Sequence, residues 1–182
     1  PPGALSRDSV VLSVTSSYPV YYEYTTDGSL PAPPTEASSV FDEALTLNGE
    51  AGREVLYTVR FLSLDEVKNE SPQTVARFAI DKDAPEKPGD PAVKFAGDST
   101  VSISWPGINE NRLYYLISSE RGVSLDTYLD YSGPFTIPFD EIEGSLTFQY
   151  YVKDKAGNRS EVGSMSLSLP GRTAESLFTG VE

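Results

Sequence analysis

A strand-like run followed by a turn occurs twice in this 182-residue sequence, and this repetition restricts the fold more than any other feature. One copy is Tyr150–Ser160, which begins with aromatic and β-branched residues that suit a pleated, half-buried strand. Gly157 and Asn158 then supply turn chemistry, because both residue types tolerate the left-handed backbone region. The other copy is Tyr57–Ser71, in which Asn69 precedes Asn158 by 89 residues (158 − 69). The sequence therefore predicts a duplicated domain, with two tandem copies in the chain.

Other apolar positions repeat at nearly the same offset. A triplet that begins at Phe41 recurs from Tyr131, an offset of 90 residues (131 − 41). Alternating runs bounded by Pro, Gly, Asn and Asp predict short strands. These runs are Val10–Thr15, Val20–Thr25, one strand framed by Phe41, Leu45 and Leu47, Val55–Leu62, Thr74–Ile80, Leu113–Ser118, Leu146–Lys153 and Met165–Leu169. Such a series is typical of antiparallel β-sandwiches, so an all-β fold is expected.

The positions of prolines and glycines predict the domain boundaries. We expect residues 1–83 to form the first sandwich, with Pro1–Ser9 as a leading linker. Residues 84–91 hold Pro85, Pro88 and Pro91 and are predicted to be a Pro-rich linker. Residues 92–170 form the predicted second sandwich, and residues 171–182 a tail. A chain that begins Pro-Pro-Gly is expected to be a piece of a longer protein that starts inside a linker.

Composition excludes several classes of function. The formal net charge is −13, and such a surface repels nucleic acid and anionic lipid, so no nucleic-acid partner is expected. The absence of His and Cys removes the usual general base, the usual metal ligand and thiolate chemistry. No apolar run is long enough to span a bilayer, which predicts no membrane insertion. The sequence is therefore not expected to be an enzyme.

Three turn motifs resemble those of known families. The Asp-x-x-Gly-Asn-x-Ser pattern of Asp154–Ser160 is similar to that of bacterial immunoglobulin-like and fibronectin type III-like repeats, and Ile80–Pro85 also fits them. Val20–Pro31 resembles the Tyr-x-x-Asp-Gly-Ser-x-Pro signature of the Ig-like C-terminal domain of chitobiase and β-hexosaminidase-type enzymes. The second copy lacks this signature, and the first copy has Lys68 where the second has Gly157. The resemblance implies two tandem Ig-like (fibronectin type III-like) antiparallel β-sandwiches without catalytic residues.

Carboxylates near the predicted linker are candidate metal ligands. Asp65, Asp81 and Asp83 are hard oxygen donors of the kind that Ca²⁺ prefers, although no EF-hand spacing is present. The alternative is a solvated acidic linker that keeps the protein soluble. No other cofactor is expected.

Tyrosines are the candidate ligand-binding residues. Adjacent tyrosines in a strand point to opposite faces, so one of each pair is expected in the core and the other exposed. Exposed rings can stack on sugars, and the candidate residues are Tyr22, Tyr24, Tyr115 and Tyr128. The alternative is that these tyrosines form cross-strand pairs that stabilise a sheet. Trp105 alternates with Val101 and Ile103 and is predicted to lie in the core.

These observations predict a non-catalytic spacer or adhesion-type domain pair from a larger bacterial surface or secreted protein. Its expected location is extracellular or at the bacterial cell surface, with the periplasm as another possibility. Its expected partners are a protein or polysaccharide at the cell surface and the neighbouring domains of the parent protein. The alternative function is a carbohydrate-binding accessory module of a glycoside hydrolase.

Overall fold

A computed structural model describes residues 4–96, 100–108, 111–138 and 142–168, and these consist of strands, turns and irregular segments. Helices are absent from these ranges, so none there could cross a membrane. The chain divides into two compact units at the boundary between Ala84 and Pro85, with the short segment Lys155–Asn158 counted in the first. The predicted tail at 171–182 lies outside the described residues. The all-β prediction is confirmed.

The first unit is a sandwich of a five-stranded sheet and a two-stranded sheet. Its strands are β1 (Leu5–Ser6), β2 (Ser9–Leu12), β3 (Val20–Thr25), β4 (Ser39–Phe41), β5 (Leu45–Asn48), β6 (Glu54–Ser63) and β7 (Thr74–Asp81). The larger sheet has the order β1-β7-β6-β3-β4, in which β1 runs parallel to β7 and the other pairs are antiparallel. The smaller sheet pairs β2 with β5.

The core of the first unit follows from the two-residue period of its strands. Alternate residues of the central strand β6 are buried against the apolar side chains of β2 and β5. These residues are Val55, Tyr57, Val59 and Phe61. Each fully buried Val or Phe side chain stabilises the fold by about 1.5–3 kcal/mol relative to an exposed one. The core therefore lies between the two sheets.

The second unit pairs a four-stranded sheet with a three-stranded one. Its strands are β8 (Ala92–Ala96), β9 (Thr100–Ser104), β10 (Arg112–Gly122), β11 (Leu129–Asp130), β12 (Phe135–Pro138), β13 (Ile142–Lys153) and β14 (Gly163–Ser168). The sheet orders are β11-β10-β13-β14 and β12-β9-β8, and all pairs are antiparallel. β10 carries a register irregularity between Ser119 and Arg121.

Trp105 lies in the core of the second unit, as predicted. Only 4% of its surface is exposed. Its ring meets Tyr131 edge to face at 5.2 Å and Tyr150 at 5.5 Å between ring centroids. The backbone N–H of Trp105 also donates a 3.1 Å hydrogen bond to the Tyr131 hydroxyl. Aromatic pairs in these geometries add about 0.5–1.5 kcal/mol beyond their buried area, so this cluster anchors the sandwich.

Two sequence predictions about strands are wrong. Phe41 and Leu45 belong to β4 and β5, which lie in different sheets, and so do not share one strand. Between them Glu43 adopts a left-handed backbone with φ 52°, which turns the chain from one sheet to the other. Leu5–Ser6, predicted to be linker, forms β1 because its backbone pairs with Ala79 and Ile80 of β7.

The first strand of the first unit joins the larger sheet, whereas the first strand of the second unit joins the smaller sheet. β1 precedes β2 in sequence but pairs with β7 in the larger sheet. β8 precedes β9, the strand that corresponds to β2, and pairs with it directly. The smaller sheet therefore has three strands in the second unit and two in the first.

Candidate recognition surfaces

The outer face of the four-stranded sheet in the second unit carries a cluster of tyrosines. Tyr114 and Tyr151 are direct cross-strand partners in β10 and β13, and their rings stack at 5.2 Å with 14° between the planes. Their neighbours Leu113 and Tyr150 are in the core, so the two stacked rings stand on the opposite side of the sheet. Tyr128 meets Tyr151 edge to face at 4.9 Å. We call this surface the outer aromatic face.

Three cations cover the rings of the outer aromatic face. The guanidinium carbon of Arg159 lies 3.7 Å from the ring centroid of Tyr151 and 5.6 Å from that of Tyr128. Lys153 Nζ and the Arg112 guanidinium lie 5.2 Å and 5.8 Å from the ring of Tyr114. Each such contact is worth about 0.5–1 kcal/mol at an exposed site. The cations therefore hold the tyrosines in place, and the tyrosines orient the cations.

The two arginines of this face differ in what they bind. The Arg112 guanidinium forms an ion pair with Asp130, whose hydrogen bond and charge raise the pKa of Arg112. Arg159 forms no ion pair or side-chain hydrogen bond with another described residue. A guanidinium has five N–H donors in a planar fork, and its position over the Tyr151 ring restrains the Arg159 side chain. Arg159 therefore has unused donors for an anionic group, and so does Lys153, whose ammonium likewise forms no ion pair or side-chain hydrogen bond with a described residue.

The predicted ligand tyrosines fall in different places. Tyr22 packs against the first core, with Phe61 6.4 Å away, and Tyr115 packs against the second. Burial is the main cause that raises the pKa of Tyr115. Tyr24 is 47% exposed on β3, and Tyr128 stands on the outer aromatic face, where its hydroxyl donates a 3.0 Å hydrogen bond to Gln149. Within the first unit the rings of Tyr22 and Tyr24 stack at 6.5 Å between centroids, whereas in the second unit Tyr115 lies against the core and Tyr128 lies on the outer aromatic face.

The expectation that one tyrosine of each adjacent pair is exposed is wrong for Tyr150 and Tyr151. Tyr150 is fully buried and Tyr151 is only 7% exposed. Tyr151 lies on the outer side of the sheet but is covered by Tyr114, Tyr128 and Arg159. Sequence reasoning missed these cations, although Lys153 follows Tyr151 by two residues and so lies on the same side of its strand.

Two of the three candidate metal ligands, Asp65 and Asp81, accept hydrogen bonds in local turns, and Asp83 donates its backbone N–H in one of them. Asp65 accepts hydrogen bonds from the backbone N–H groups of Val67 and Asn69 at 2.9 and 2.8 Å. The Asn69 backbone and amide bonds are the main causes that lower the pKa of Asp65. Asp81 accepts a 2.9 Å hydrogen bond from the backbone N–H of Asp83. The described residues contain no group of three or more His, Cys, Asp or Glu arranged to hold a metal ion.

The corresponding outer face in the first unit is covered by its own loop. Gly28 N–H donates a 2.8 Å hydrogen bond to the Leu56 carbonyl, and the Thr58 hydroxyl donates a 3.1 Å bond to the Gly28 carbonyl. Arg60 Nη1 donates to the Pro31 carbonyl at 3.0 Å, and Pro34 is fully buried. The Asp-Gly-Ser-x-Pro motif thus acts as a covering loop for this sheet.

A shallow cleft of about 700 Å³ lies at one end of the second unit. It is lined by Trp105, Tyr131 and the Arg112–Asp130 pair, among others. The Trp105 indole Nε1 is buried and has no hydrogen-bond partner among the described residues. Because Arg112 also belongs to the outer aromatic face, this cleft adjoins that surface.

A solved structure with a similar fold contains fibronectin type III domains. The chain is similar to chicken CNTN1 FN1–FN3 domains, with a TM-score of 0.52 and 11% identity over 92% of this chain and 62% of that one. The chain thus spans less than two thirds of that structure. A segment of two fibronectin type III domains from chicken tenascin is 13% identical over 90% of this chain and 94% of its own, with a TM-score of 0.38. No family model and no curated protein matches the chain.

The likeness to the chicken CNTN1 domains shows the fold alone, since the identity is 11%. Together with the two sandwiches described above, it confirms that the chain consists of tandem Ig-like (fibronectin type III-like) β-sandwiches. None of these comparisons gives sequence support for the resemblance of Val20–Pro31 to the chitobiase-type domain.

Proposed function

We propose that this chain is a non-catalytic recognition and spacing pair of domains from a larger bacterial surface or secreted protein, located outside the cell or in the periplasm. Its outer aromatic face would contact an acidic region of a protein partner. The observation that carries this proposal is the position of Arg159, whose guanidinium lies 3.7 Å from the Tyr151 ring centroid. Its N–H donors bind no other described side chain, so a carboxylate can take them without breaking an existing bond.

The charge distribution supports an acidic partner. Three cations, Arg112, Lys153 and Arg159, gather on one face of a chain whose formal net charge is −13. The acidic remainder repels anionic surfaces in general, so an anionic partner gains attraction only in the orientation that meets this face. Electrostatic steering of this kind weakens as salt rises, because the Debye length falls to about 8 Å at physiological ionic strength.

The alternative, a carbohydrate-binding accessory module, receives less support from this surface. Sugar stacking needs an aromatic ring with a free face. The Tyr151 ring is in contact with both Tyr114 and Arg159, and Lys153 lies over the Tyr114 ring. Tyr24, which is 47% exposed on the first unit, is the candidate residue that would still serve this alternative.

The proposal is tested by binding of the 182-residue chain to a panel of host-matrix proteins and polysaccharides at low and physiological salt. Arg159→Gln should weaken binding to an acidic protein by about ten- to a hundredfold, as expected for a charge-assisted hydrogen bond worth about 1.5–3 kcal/mol. The matched control is Arg77→Gln, which removes an exposed arginine from β7 of the first unit.

Equal losses of binding affinity in Arg159→Gln and Arg77→Gln would mean that net charge alone drives binding. That result would overturn the assignment of the outer aromatic face as the binding surface. Binding to a neutral polysaccharide that survives Arg159→Gln but is lost in Tyr24→Ala would favour the accessory module instead. The thermal midpoint of each variant shows whether the fold is intact.

A further inference from the structure

The smaller sheet of the first unit has an open edge along β2. β2 pairs on one side with β5 through the register Val10–Leu47 and Leu12–Leu45, and within the described part of the chain the sheet has only these two strands. Alternate backbone groups of β2 therefore point away from β5. The chain continues past β2, and the backbone groups of Ser13, Val14 and Thr15 hydrogen-bond no other described residue. This segment is an unpaired template for another strand.

The second unit shows what fits at this edge. There β9 takes the place of β2, and β8 pairs with it in antiparallel register, with Val93 opposite Ile103 and Phe95 opposite Val101. Val93 packs against the core of the second unit. A short strand with apolar residues at alternate positions, here Val93 and Phe95, therefore completes the smaller sheet in this fold.

A groove lies beside the open edge of the first unit. Its volume is about 440 Å³, and one wall is the backbone and side chains of residues 12–16. The opposite wall includes Phe61 of β6 and Thr74 and Ala76 of β7. A strand added to β2 can thus direct alternate side chains into a groove lined by both apolar and hydroxyl side chains, which is how strand addition combines affinity with specificity.

The sequence of the edge lacks the features that usually block strand addition. Residues 9–18 contain no charged residue and no Pro or Gly. Val11, at the centre of β2, is 62% exposed. Open edges in natural sheets are normally protected by Lys, Pro or a bulge, so an unprotected edge of high β-propensity is suited to pairing.

We infer that the β2 edge of the first unit binds an extended segment of a partner polypeptide, which pairs antiparallel with residues 9–15 and places alternate apolar residues in the groove, as Val93 and Phe95 alternate in β8. This interaction adds a third strand to the two-stranded sheet, as β8 does in the second unit. It is independent of the outer aromatic face, so either proposal can fail without the other.

The test uses the full chain and a synthetic peptide with the sequence of Pro91–Ala96, Pro-Ala-Val-Lys-Phe-Ala. Saturating peptide should slow amide hydrogen exchange of residues 9–15 by about tenfold and leave that of β4 unchanged. Val11→Lys places a charge at the edge and should abolish the protection. The matched control is Val40→Lys, since Val40 is 58% exposed on β4 and should leave the protection intact.

Ser13→Pro is a second blocking variant, because it removes a backbone N–H that bonds no described residue and so spares the folded structure. A peptide with proline in place of its valine should not bind. No protection at millimolar peptide would overturn the inference. Protection of residues 9–15 that rises with protein concentration in the absence of peptide would overturn it too, since a second copy of the chain would then occupy the edge.

Discussion

The phenol of Tyr150 donates a hydrogen bond to the carboxylate of Asp90, a residue 60 positions earlier in the chain. Tyr150 is fully buried in the central strand β13, whereas Asp90 is exposed just before β8. The pKa of Tyr150 is raised mainly by burial and further by the hydrogen bond and the charge of Asp90. The bond therefore connects the centre of the second sandwich to the segment that enters it.

Tyr150→Phe should lower the free energy of unfolding by about 1–2 kcal/mol, because it removes a hydrogen bond to a charged group while the ring still fills its place. Chemical unfolding monitored by Trp105 fluorescence measures this effect, since Trp105 is the single tryptophan and lies in the same core. Asp90→Asn keeps an acceptor and should cost less. A Tyr150→Phe variant as stable as the parent would show that the bond contributes nothing.

Stability should fall at alkaline pH. The folded state raises the pKa of Tyr57, Tyr115 and Tyr150, so these phenols keep their protons when those of the unfolded chain dissociate. Their contribution is complete below the unfolded pKa of about 10 and is lost as pH rises from there toward the folded values. The unfolding midpoint in urea, measured from pH 8 to 11, should therefore decline. The decline should be shallower in Tyr150→Phe, and an identical slope would contradict the role of Tyr150.

Gly163→Ala should destabilise the second unit. A Cβ at Gly163 would lie 2.2 Å from Cε2 of Tyr150 and 2.7 Å from its Cζ, and the buried ring cannot move away. Overpacking of this kind costs about 1–3 kcal/mol. The control is Gly89→Ala, where a Cβ would meet nothing within 4 Å. Thermal unfolding followed by Trp105 fluorescence should distinguish the two variants, and equal midpoints would contradict the clash.

Lys68→Gly should be more stable than Lys68→Ala by about 1 kcal/mol. Lys68 has φ 68°, and the equivalent residue of the second repeat is Gly157 with φ 93°. Both variants lose the exposed ion pair of Lys68 with Glu36, so their difference isolates the backbone effect. Conversely, Gly157→Ala should be destabilising from backbone strain alone, because a Cβ there meets nothing within 4 Å. Equal thermal midpoints for Lys68→Gly and Lys68→Ala would contradict this account.

Stability should also fall at acidic pH through two turns. Hydrogen bonds from Asn69 lower the pKa of Asp65, and those from Ser29 lower the pKa of Asp27. A lowered folded pKa gives stability that is present above the unfolded value and lost as pH falls through the folded one. Asp65→Asn and Asp27→Asn should each make the urea unfolding midpoint depend less steeply on pH between pH 5 and 2. Asp126→Asn is the control, and a flattening of equal size there would contradict the assignment.

Local sequence patterns were enough to predict most of the longer strands, although they missed β1 and β8. Val20–Thr25 forms a strand with the predicted bounds, and Trp105 lies in the core, because the two-residue alternation that decides burial is written in neighbouring residues. Turn residues likewise marked the repeat, since Asn69 and Asn158 each close the loop after a long central strand.

The candidate surfaces depended on contacts between residues far apart in the chain. Arg112 and Arg159 reach the same outer aromatic face only because β10 and β13 pair, and no local pattern specifies that pairing. Local patterns also do not specify whether β1 and β8 pair with the larger or the smaller sheet, since either edge of the sandwich accepts a short strand. The sequence alone therefore determined the all-β class, the duplication and the inward side of several strands, whereas tertiary structure decided which edges pair and which faces stay open. The physical reason is that side-chain alternation is a local property of a strand, while strand pairing and cation–π stacking depend on the whole fold.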